Sequence, residues 1–572
     1  MFWLGFITTF FLTISLIVLF FRKRWYARRF GLPPAQYQVG VRRKIPVPMA
    51  DGVLLYGDHY APRGPGTFPT VLIRSPYGRG WESFPLSLLL IFIGQRFAER
   101  GYHVFVQVVR GQYDSGGDFL PFAHEKEDGL ATIKWLRTQS WFNGKIGMLG
   151  ASYMGLVQWA VASDPAIKAL VPIKTGSDVY THFFADKVVA LEFAARWMLI
   201  VVGSGRGMLK RRMSYLQHLR NLFQSERLVP AAFQSPSLRD ADRAMLGEPV
   251  SFYQLWLEAS GEAEHPYWQA ATYREQIRAT GAAVHLIGGW HDFFIRGQLE
   301  DYHTLKAAGQ NPYLTIGPWT HLENGSTGAQ IRDAVDWFDV HLKGAANRLR
   351  KLTVRLFVIG ANEWREMESY PPPGQPIRFY LAADGVLASS PSTDETAATS
   401  FVYDPADPTP SIGGNLMNVA AGPVDNGPLE SRSDVICFTS EPLTADLEII
   451  GTPNVTIYMQ ASTSHTDLFV RLNDVDAAVI SLNVTDYLYR IEPEQRVEGE
   501  NGMLQLTFDL LPTAYRFKRG HRLRLLLAGG AHPRWARNLG TGIDGEFVVQ
   551  AHTICHDISH PSVIRLPQIP CE

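Results

Sequence analysis

The chain has 572 residues and balances 54 Lys and Arg against 55 Asp and Glu, a formal net charge of −1 that excludes a polyanion-binding protein such as a nucleic-acid binder. Its 46% hydrophobic and 12% aromatic content is enough to form packed cores, and its length predicts two or three domains. The three cysteines, Cys437, Cys555 and Cys571, lack the number and spacing of a disulfide framework or a zinc site. Without an H-E-x-x-H motif or a P-loop, no metal or cofactor is expected.

An uncharged apolar run of 20 residues begins the chain, from Phe2 to Phe21. A helix of that length spans about 30 Å, the thickness of a bilayer's hydrocarbon core. Arg22, Lys23 and Arg24 follow the run and no basic residue precedes it, the reverse of a cleaved signal peptide. We predict a single transmembrane anchor, with the N-terminus outside and the body of the chain in the cytoplasm, because basic flanks stay cytoplasmic.

Short apolar strands then alternate with helical segments, which predicts a mainly parallel sheet of an α/β domain. Antiparallel strands at 37–48 and 53–59 come first. Buried strands are predicted at 71–74, 104–109, 146–149, 169–172, 284–289 and 313–317, and helices at 129–139, 153–163 and 331–343.

Two segments break this alternation. Residues 176–280 are aromatic, Arg-rich and helical in pattern, which predicts an inserted helical cap. Beyond about residue 352, short strands separated by Gly, Pro, Asn and Asp predict an all-β sandwich. The predicted domains are the anchor with its basic flank (1–30), the α/β domain in two parts (31–175 and 281–350), the cap (176–280) and the sandwich (351–572).

The strongest chemical signal is the segment KIGMLGASYMG at 145–155. An apolar strand passes through a glycine-rich turn into an apolar helix, the setting of a nucleophile elbow, which makes Ser152 the candidate nucleophile. The helix N-terminus would favour negative charge developing beside it. The usual pattern is G-x-S-x-G, and here Met154 replaces the second glycine and Gly155 follows. A glycine-rich turn without catalysis is the alternative.

A serine nucleophile needs a base and an orienting acid near the carboxyl ends of later strands. Asp292 follows the strand VHLIGG, and His321 follows the strand YLTIG, so both are expected at the same sheet edge as Ser152. The competing candidates are His291, His303, Asp336 and Asp339.

From about Val41 to Arg565 the chain resembles the X-Pro dipeptidyl-peptidase and cocaine-esterase-like hydrolases. The resemblance is carried by SPYGRG at 75–80, VRG at 109–111, QSWFNGKIGMLGASYMG at 139–155, GGWHDFF at 288–294, IGPWTH at 316–321, WFDVHLKG at 337–344 and HPRWARNLGTG at 532–542. It implies an α/β-hydrolase domain with a helical cap and a C-terminal jelly-roll domain.

The resemblance also implies roles for individual residues. Ser152 would be the nucleophile, His321 the general base and Asp292 its orienter, with an oxyanion hole formed by the Tyr153 backbone N–H and the Tyr77 phenol. In one departure, Val108 stands where the family commonly has the Asp of D-V-R-G, which predicts that a neighbouring arginine, Arg110, lacks its usual partner.

The expected reaction is hydrolysis of a small ester, an amide or a short peptide through an acyl-enzyme. The aromatic residues Trp290, Phe293, Phe294 and Trp319 predict an apolar acyl pocket and therefore a carboxylesterase. An X-Pro dipeptidyl-peptidase is the alternative, and it would need carboxylates to bind a free α-amine, for which the cap offers Asp178, Asp186, Glu192 and Glu258. A non-catalytic, membrane-tethered binding scaffold is the alternative of another class.

Overall fold

The computed structural model describes residues 28–80, 87–185, 187–202, 225–323, 326–346, 348–493 and 502–570. The predicted anchor at 2–21 lies outside these ranges. Within them, no helix combines the length and the apolar character needed to cross a bilayer.

A ten-stranded sheet is the framework of the first part of the chain. Its strands are β1 (Gln38–Pro48), β2 (Leu54–Arg63), β3 (Thr70–Ser75), β4 (His103–Val108), β5 (Ile146–Ala151), β6 (Ile167–Ile173), β9 (Ala283–His291), β10 (Tyr313–Thr320), β11 (Val354–Val358) and β12 (Glu363–Met367). The two short strands β7 (Phe184–Ala185) and β8 (Val188–Val189) pair separately.

The spatial order of the large sheet is β1-β2-β4-β3-β5-β6-β9-β10-β11-β12. The strands from β4 to β11 run parallel, and β1, β2 and β12 add antiparallel pairs at the two edges. Every residue of β3 is buried, as parallel strands covered on both faces require. Val71 and Ile73 belong to one core cluster and Leu72 to the other, because successive side chains point to opposite faces.

Helices cover both faces of this sheet. The helices of the α/β part are α1 (Ser87–Ala98), α2 (Glu125–Leu136), α3 (Tyr153–Ala160), α11 (Ile295–Ala307) and α12 (Thr327–His341). Between β6 and β9 lie α4 (Tyr180–Phe183), α5 (Leu191–Val202), α6 (Ser225–Gln234), α7 (Ala241–Leu246), α8 (Ser251–Glu258), α9 (Pro266–Ala270) and α10 (Arg274–Arg278). In the described residues, the segment predicted as a cap is therefore largely helical.

The C-terminal part is a β domain with its own hydrophobic core. Its strands are β13 (Gln375–Ala382), β14 (Val386–Ala388), β15 (Ala398–Tyr403), β16 (Val435–Thr439), β17 (Leu447–Gly451), β18 (Asn454–Ala461), β19 (Thr466–Val475), β20 (Ser481–Ile491), β21 (Leu504–Asp509), β22 (Thr513–Phe517), β23 (Arg522–Ala528), β24 (Gln550–Cys555) and β25 (Val563–Ile569). One short helix, α13 (Gly427–Glu430), precedes β16.

The first two strands after residue 351 do not join the C-terminal sheet. β11 pairs in parallel with β10, Leu314 opposite Val354, and β12 pairs with β11. Both strands fall within the predicted sandwich (351–572), because short alternating segments show strand character without showing which sheet they enter. The large sheet therefore extends past the predicted boundary at residue 350.

Candidate active site

The predicted site residues follow neighbouring parallel strands at one edge of the large sheet. Ser152 follows β5, Asp292 follows β9 and His321 follows β10, and these strands stand in the order β5-β6-β9-β10. The register pairs His291 with Thr320, the residues immediately before Asp292 and His321. The carboxyl ends of these strands thus bring the three side chains to the same edge.

Ser152 occupies a sharp turn between β5 and α3. Its backbone angles are φ 57° and ψ −127°, a conformation that residues other than glycine rarely adopt. A Cβ at Gly150 would lie 2.4 Å from the Cβ of Met154, and one at Gly155 would lie 2.5 Å from Cγ2 of Thr175. The glycines at 150 and 155 give the space that the turn needs, which explains how Met154 is tolerated where the common motif has glycine.

Asp292 and His321 form a hydrogen-bonded pair. Asp292 Oδ2 lies 2.8 Å from His321 Nδ1, and the Phe294 N–H donates to Asp292 Oδ1 at 2.8 Å. Asp292 is 1% exposed. Burial would raise the pKa of Asp292, but the interaction with His321 and the charge of Lys174 outweigh it and hold the pKa below its usual value. The carboxylate is therefore ionised and its orientation is fixed.

Two residues that the sequence analysis missed hold this pair in place. Lys174 directly follows β6, and its Nζ donates to the Thr320 carbonyl at 2.6 Å. The Asn415 side chain, from the β domain, donates to the carbonyls of Trp290 at 3.1 Å and of Asp292 at 2.8 Å. The position of Lys174 after a sheet strand was a usable signal, whereas nothing near Asn415 in the sequence marks it.

The two predicted oxyanion donors flank Ser152. Tyr77 follows β3, and burial raises the pKa of its phenol while hydrogen bonds with Trp197 and Ser152 oppose that rise. Tyr153 is the first residue of α3, where backbone N–H groups have no partner inside the helix. Its phenol donates to Glu125 Oε1 at 2.7 Å and so anchors the start of the helix.

Glu125 is itself held by a buried ion pair with Arg74. Arg74 Nη1 lies 2.7 Å from Glu125 Oε2, and both side chains are buried. Burial raises the pKa of Glu125, opposed by the charge of Arg74. This buried pair fixes Tyr153 and, through it, the backbone N–H next to Ser152.

An aromatic pocket adjoins Ser152. It is lined by Phe122, Ser152, Tyr153, Leu156, Thr175, Val179, His182, Phe183, Phe193, Trp197 and Phe294, and its free volume is about 10 Å³. A larger cavity of about 390 Å³ shares His182 and Phe193 with it and extends to Phe293, Tyr487 and Trp535. The ring centroids of Phe293 and His321 are 4.4 Å apart, so this cavity reaches the candidate site.

Only two of the four predicted pocket residues lie at these cavities. Phe293 and Phe294 do. Trp290 instead donates its indole N–H to the Phe357 carbonyl at 2.7 Å, and Trp319 packs against Trp364 with centroids 5.7 Å apart. The prediction fails for Trp290 and Trp319 because both indoles pack against other parts of the chain, away from the two cavities.

The competing acid and base candidates lie elsewhere or are buried as neutral groups. Burial lowers the pKa of His291 to about 4. Asp336 and Asp339 both lie on α12, and Asp339 accepts from the Tyr102 hydroxyl at 2.6 Å, at the amino end of β4 and so at the opposite sheet edge. His303 packs near Tyr370, with centroids 6.1 Å apart.

Arg110 has partners despite the missing aspartate at position 108. Its Nη2 lies 2.6 Å from Asp128 Oδ1 and its Nη1 lies 2.7 Å from Asp51 Oδ2. Asp51 and Asp128 approach Arg110 from other segments, so the absence of its usual partner at position 108 does not leave the guanidinium unpaired.

Comparison with known families matches two adjoining models. Residues 51–323 match the S15 family of X-Pro dipeptidyl-peptidases, and residues 347–565 match the C-terminal non-catalytic domain of X-Pro dipeptidyl-peptidases. An elbow serine and a histidine–aspartate pair lie at one edge of the sheet. Together with these matches, they define the chain as a serine hydrolase. It belongs to the X-Pro dipeptidyl-peptidase and cocaine-esterase-like family.

Individual relatives cover nearly the whole chain. The cocaine esterase of Rhodococcus sp. (strain MB1 Bresler) is 29% identical, over 92% of this chain and 98% of its own length. A putative serine esterase of Mycobacterium bovis is 25% identical, over 84% and 89%. The solved structure of an α-amino acid ester hydrolase has a TM-score of 0.75 at 22% identity, covering 93% of this chain and 97% of that one, and it shows the shared fold.

Proposed function

We propose that the chain is a carboxylesterase-type acyl hydrolase that uses Ser152, His321 and Asp292 as its triad. The observation that carries the proposal is the 2.8 Å contact of Asp292 with His321 at the sheet edge where Ser152 occupies its turn. Because Asp292 engages Nδ1, the other ring nitrogen, Nε2, is left to act as the base.

The proposed reaction proceeds through an acyl-enzyme. His321 takes the Ser152 proton as the hydroxyl oxygen attacks the ester carbonyl, and it then protonates the leaving alcohol. The Tyr153 N–H and the Tyr77 hydroxyl donate to the oxyanion as it develops. Water, deprotonated by His321, attacks the acyl-enzyme and releases the acid, which regenerates Ser152.

The charges around the larger cavity favour an ester over a peptide with a free α-amine. Glu192 lines the cavity, but its oxygens accept from Arg196 Nε at 2.6 Å and from the Met417 N–H at 2.9 Å. Asp178 pairs with Arg274 at 2.8 Å, and Glu258 is exposed. The fourth candidate, Asp186, lies outside the described residues.

Glu300 is a further carboxylate at the cavity, and it also faces a cation. It lies 3.6 Å from Arg274. The described carboxylates that line the cavity therefore already have arginine partners, and a substrate ammonium would have to compete with those partners.

A panel of p-nitrophenyl esters and X-Pro nitroanilides tests this preference. We expect Ser152-dependent ester hydrolysis with little release of nitroaniline, and Ser152→Ala as the control removes the ester turnover. Rapid cleavage of X-Pro nitroanilides with negligible ester turnover would establish the dipeptidyl-peptidase instead. If neither substrate turns over and a serine-directed probe fails to label the chain, the scaffold alternative gains support.

We also propose that the segment from Phe2 to Phe21 anchors the enzyme in a membrane. Its length of 20 uncharged residues and the basic cluster that starts at Arg22 support this proposal. The same charge asymmetry supports a cytoplasmic location for the hydrolase. A reporter fused to the C-terminus should stay inaccessible to protease outside intact cells, and cleavage of that reporter would reverse the orientation.

A further inference from the structure

The cap helix α5 places an indole against the predicted oxyanion donor. Trp197 is 2% exposed, and its Nε1 lies 3.2 Å from the Tyr77 hydroxyl oxygen. Trp197 comes from the segment between β6 and β9, whereas Tyr77 follows β3, so the contact joins two distant parts of the chain.

The chemistry of the two groups fixes the direction of this hydrogen bond. An indole N–H only donates, so the Tyr77 oxygen must accept. An accepting phenol keeps its own proton free to donate elsewhere, and Ser152 is the other hydrogen-bonding neighbour of the Tyr77 phenol. A hydroxyl that accepts one bond also donates more strongly in the next.

Stacked rings hold the indole in this orientation. The Trp197 ring lies nearly parallel to Phe122, at 5.6 Å and 19°, and to Tyr153, at 6.3 Å and 10°. Trp256 stacks on it at 5.8 Å and 23°. Rotation of the indole would disturb these contacts, so its N–H stays directed at Tyr77.

We propose that Trp197 is a positioning residue of the oxyanion hole, whose N–H orients the Tyr77 hydroxyl proton toward the reacting carbonyl oxygen. The proposal rests on the proposed function, and it adds a residue from the cap to the group that controls the chemical step. It also means that the cap completes the oxyanion hole, beyond its contribution to the walls of the pocket.

The first test is Trp197→Phe, which removes the N–H and keeps an aromatic ring. We expect kcat for a p-nitrophenyl ester to fall about 3- to 10-fold, the range of one neutral hydrogen bond, with KM changed less than about 2-fold. An unchanged kcat in a folded variant overturns the proposal.

A double-mutant cycle separates positioning from pocket shape. Tyr77→Phe should lower kcat about 100-fold or more, and adding Trp197→Phe to it should lower kcat less than about 2-fold further. If Trp197→Phe costs the same factor in both backgrounds, the indole acts through packing and the proposal fails. If Tyr77→Phe leaves kcat unchanged, the proposal also fails.

Trp256→Phe is the matched control. It removes an indole from the same stack, and its N–H donates at 2.7 Å to Tyr267. We expect its effect on kcat to be the same with and without Tyr77→Phe. Coupling as large as that of Trp197 would assign the effect to the stack as a whole and overturn the proposal.

An isosteric replacement keeps the test decisive if Trp197→Phe does not fold. β-(3-Benzothienyl)alanine at position 197 retains the ring shape and has sulfur in place of N–H, and the expected loss of kcat is the same. The proposed function is tested separately. Ser152→Ala should abolish ester turnover whatever the double-mutant cycle shows about Trp197.

Discussion

Asp292 accepts one hydrogen bond on each carboxylate oxygen, from His321 Nδ1 and from the Phe294 N–H. The two bonds fix both the carboxylate and the imidazole, so in the proposed triad His321 would act as the base through Nε2. Burial alone would raise the pKa of this carboxyl, and the charge of Lys174 is one of the interactions that lower it. The orientation of the histidine thus depends on an ionised, buried aspartate.

Asp292→Asn should therefore be far more damaging to activity than to folding. An amide of the same shape cannot hold the same tautomer of His321, and we expect kcat to fall about 1,000- to 10,000-fold. Steady-state kinetics with a p-nitrophenyl ester measure the loss, and thermal unfolding provides the control for folding. A loss of less than about 10-fold would contradict the assignment of Asp292 as the orienting acid.

A second prediction for a single residue concerns Asn415. Asn415→Ala removes the donors to the carbonyls of Trp290 and Asp292, so the end of β9 should loosen. We expect a loss of about 1–3 kcal/mol in stability and about 10-fold in kcat.

The matched control for Asn415 is Asn426→Ala. Asn426 is buried in the β domain and donates to the Val424 carbonyl at 2.9 Å, away from the strand that carries Asp292. The Asn426→Ala variant should lose comparable stability and keep its ester turnover. Equal losses of turnover in both variants would show that Asn415 has only a general structural role.

Among the elements, the strands and the elbow were predictable from sequence. The buried strand predicted at 146–149 corresponds to β5 (Ile146–Ala151), because apolar strands of a parallel sheet are locally distinct. The helix predicted at 129–139 begins earlier, at Glu125, since its polar first turn hides the start. The pairing of β11 with β10 and the reach of Asn415 into the site depend on long-range contacts that no local pattern shows.

Two cavities of very different volume adjoin the candidate site. The pocket next to Ser152 has about 10 Å³ free, room for roughly one water, whereas the adjoining cavity has about 390 Å³. We expect the acyl group of the ester to enter the smaller pocket next to Ser152, where a long acyl chain would overpack the space at a cost of about 1–3 kcal/mol.

We therefore expect esters with short acyl groups and bulky alcohols to be preferred. From p-nitrophenyl acetate to octanoate, kcat/KM should fall at least about 10-fold, while acetates of larger aromatic alcohols remain good substrates. The two series, each varying one side of the ester, form the measurement. Octanoate hydrolysed as fast as acetate would contradict the assignment of the small pocket to the acyl group.

Strands β2 and β4 hold a buried histidine pair that should make stability depend on pH. His59 Nε2 and His103 Nδ1 are 3.0 Å apart. Burial lowers the pKa of His59 from 6.5 to about 3 and that of His103 to about 4. In the folded state the rings stay neutral, while in the unfolded chain they gain protons below about pH 6.5, so stability is lost as pH falls through that value.

His59→Leu should flatten this dependence. Between pH 7 and pH 5 the free energy of unfolding of the variant should fall by about 2 kcal/mol less than that of the wild type. Chemical denaturation at both pH values gives the difference, and the same substitution at the partly exposed His465 is the control. Equal slopes in the wild type and His59→Leu would show that His59 is not kept neutral.

At the scale of the whole molecule, the proposed anchor should be separable from the enzyme. Phe30 packs against Phe92 with centroids 5.5 Å apart, so the cut belongs before residue 28. Deletion of residues 2–27 should move the protein from the membrane fraction to the soluble fraction and leave kcat/KM for a soluble ester within about 2-fold. A full-length chain that fractionates as soluble would refute the anchor.

The most direct test of the central claim is to map a fluorophosphonate adduct on the full-length protein by mass spectrometry. The proposed triad predicts one phosphonylated residue, Ser152, with labelling abolished by Ser152→Ala and strongly slowed by Asp292→Asn. Covalent modification of a different serine, or undiminished labelling of Ser152→Ala, would contradict it.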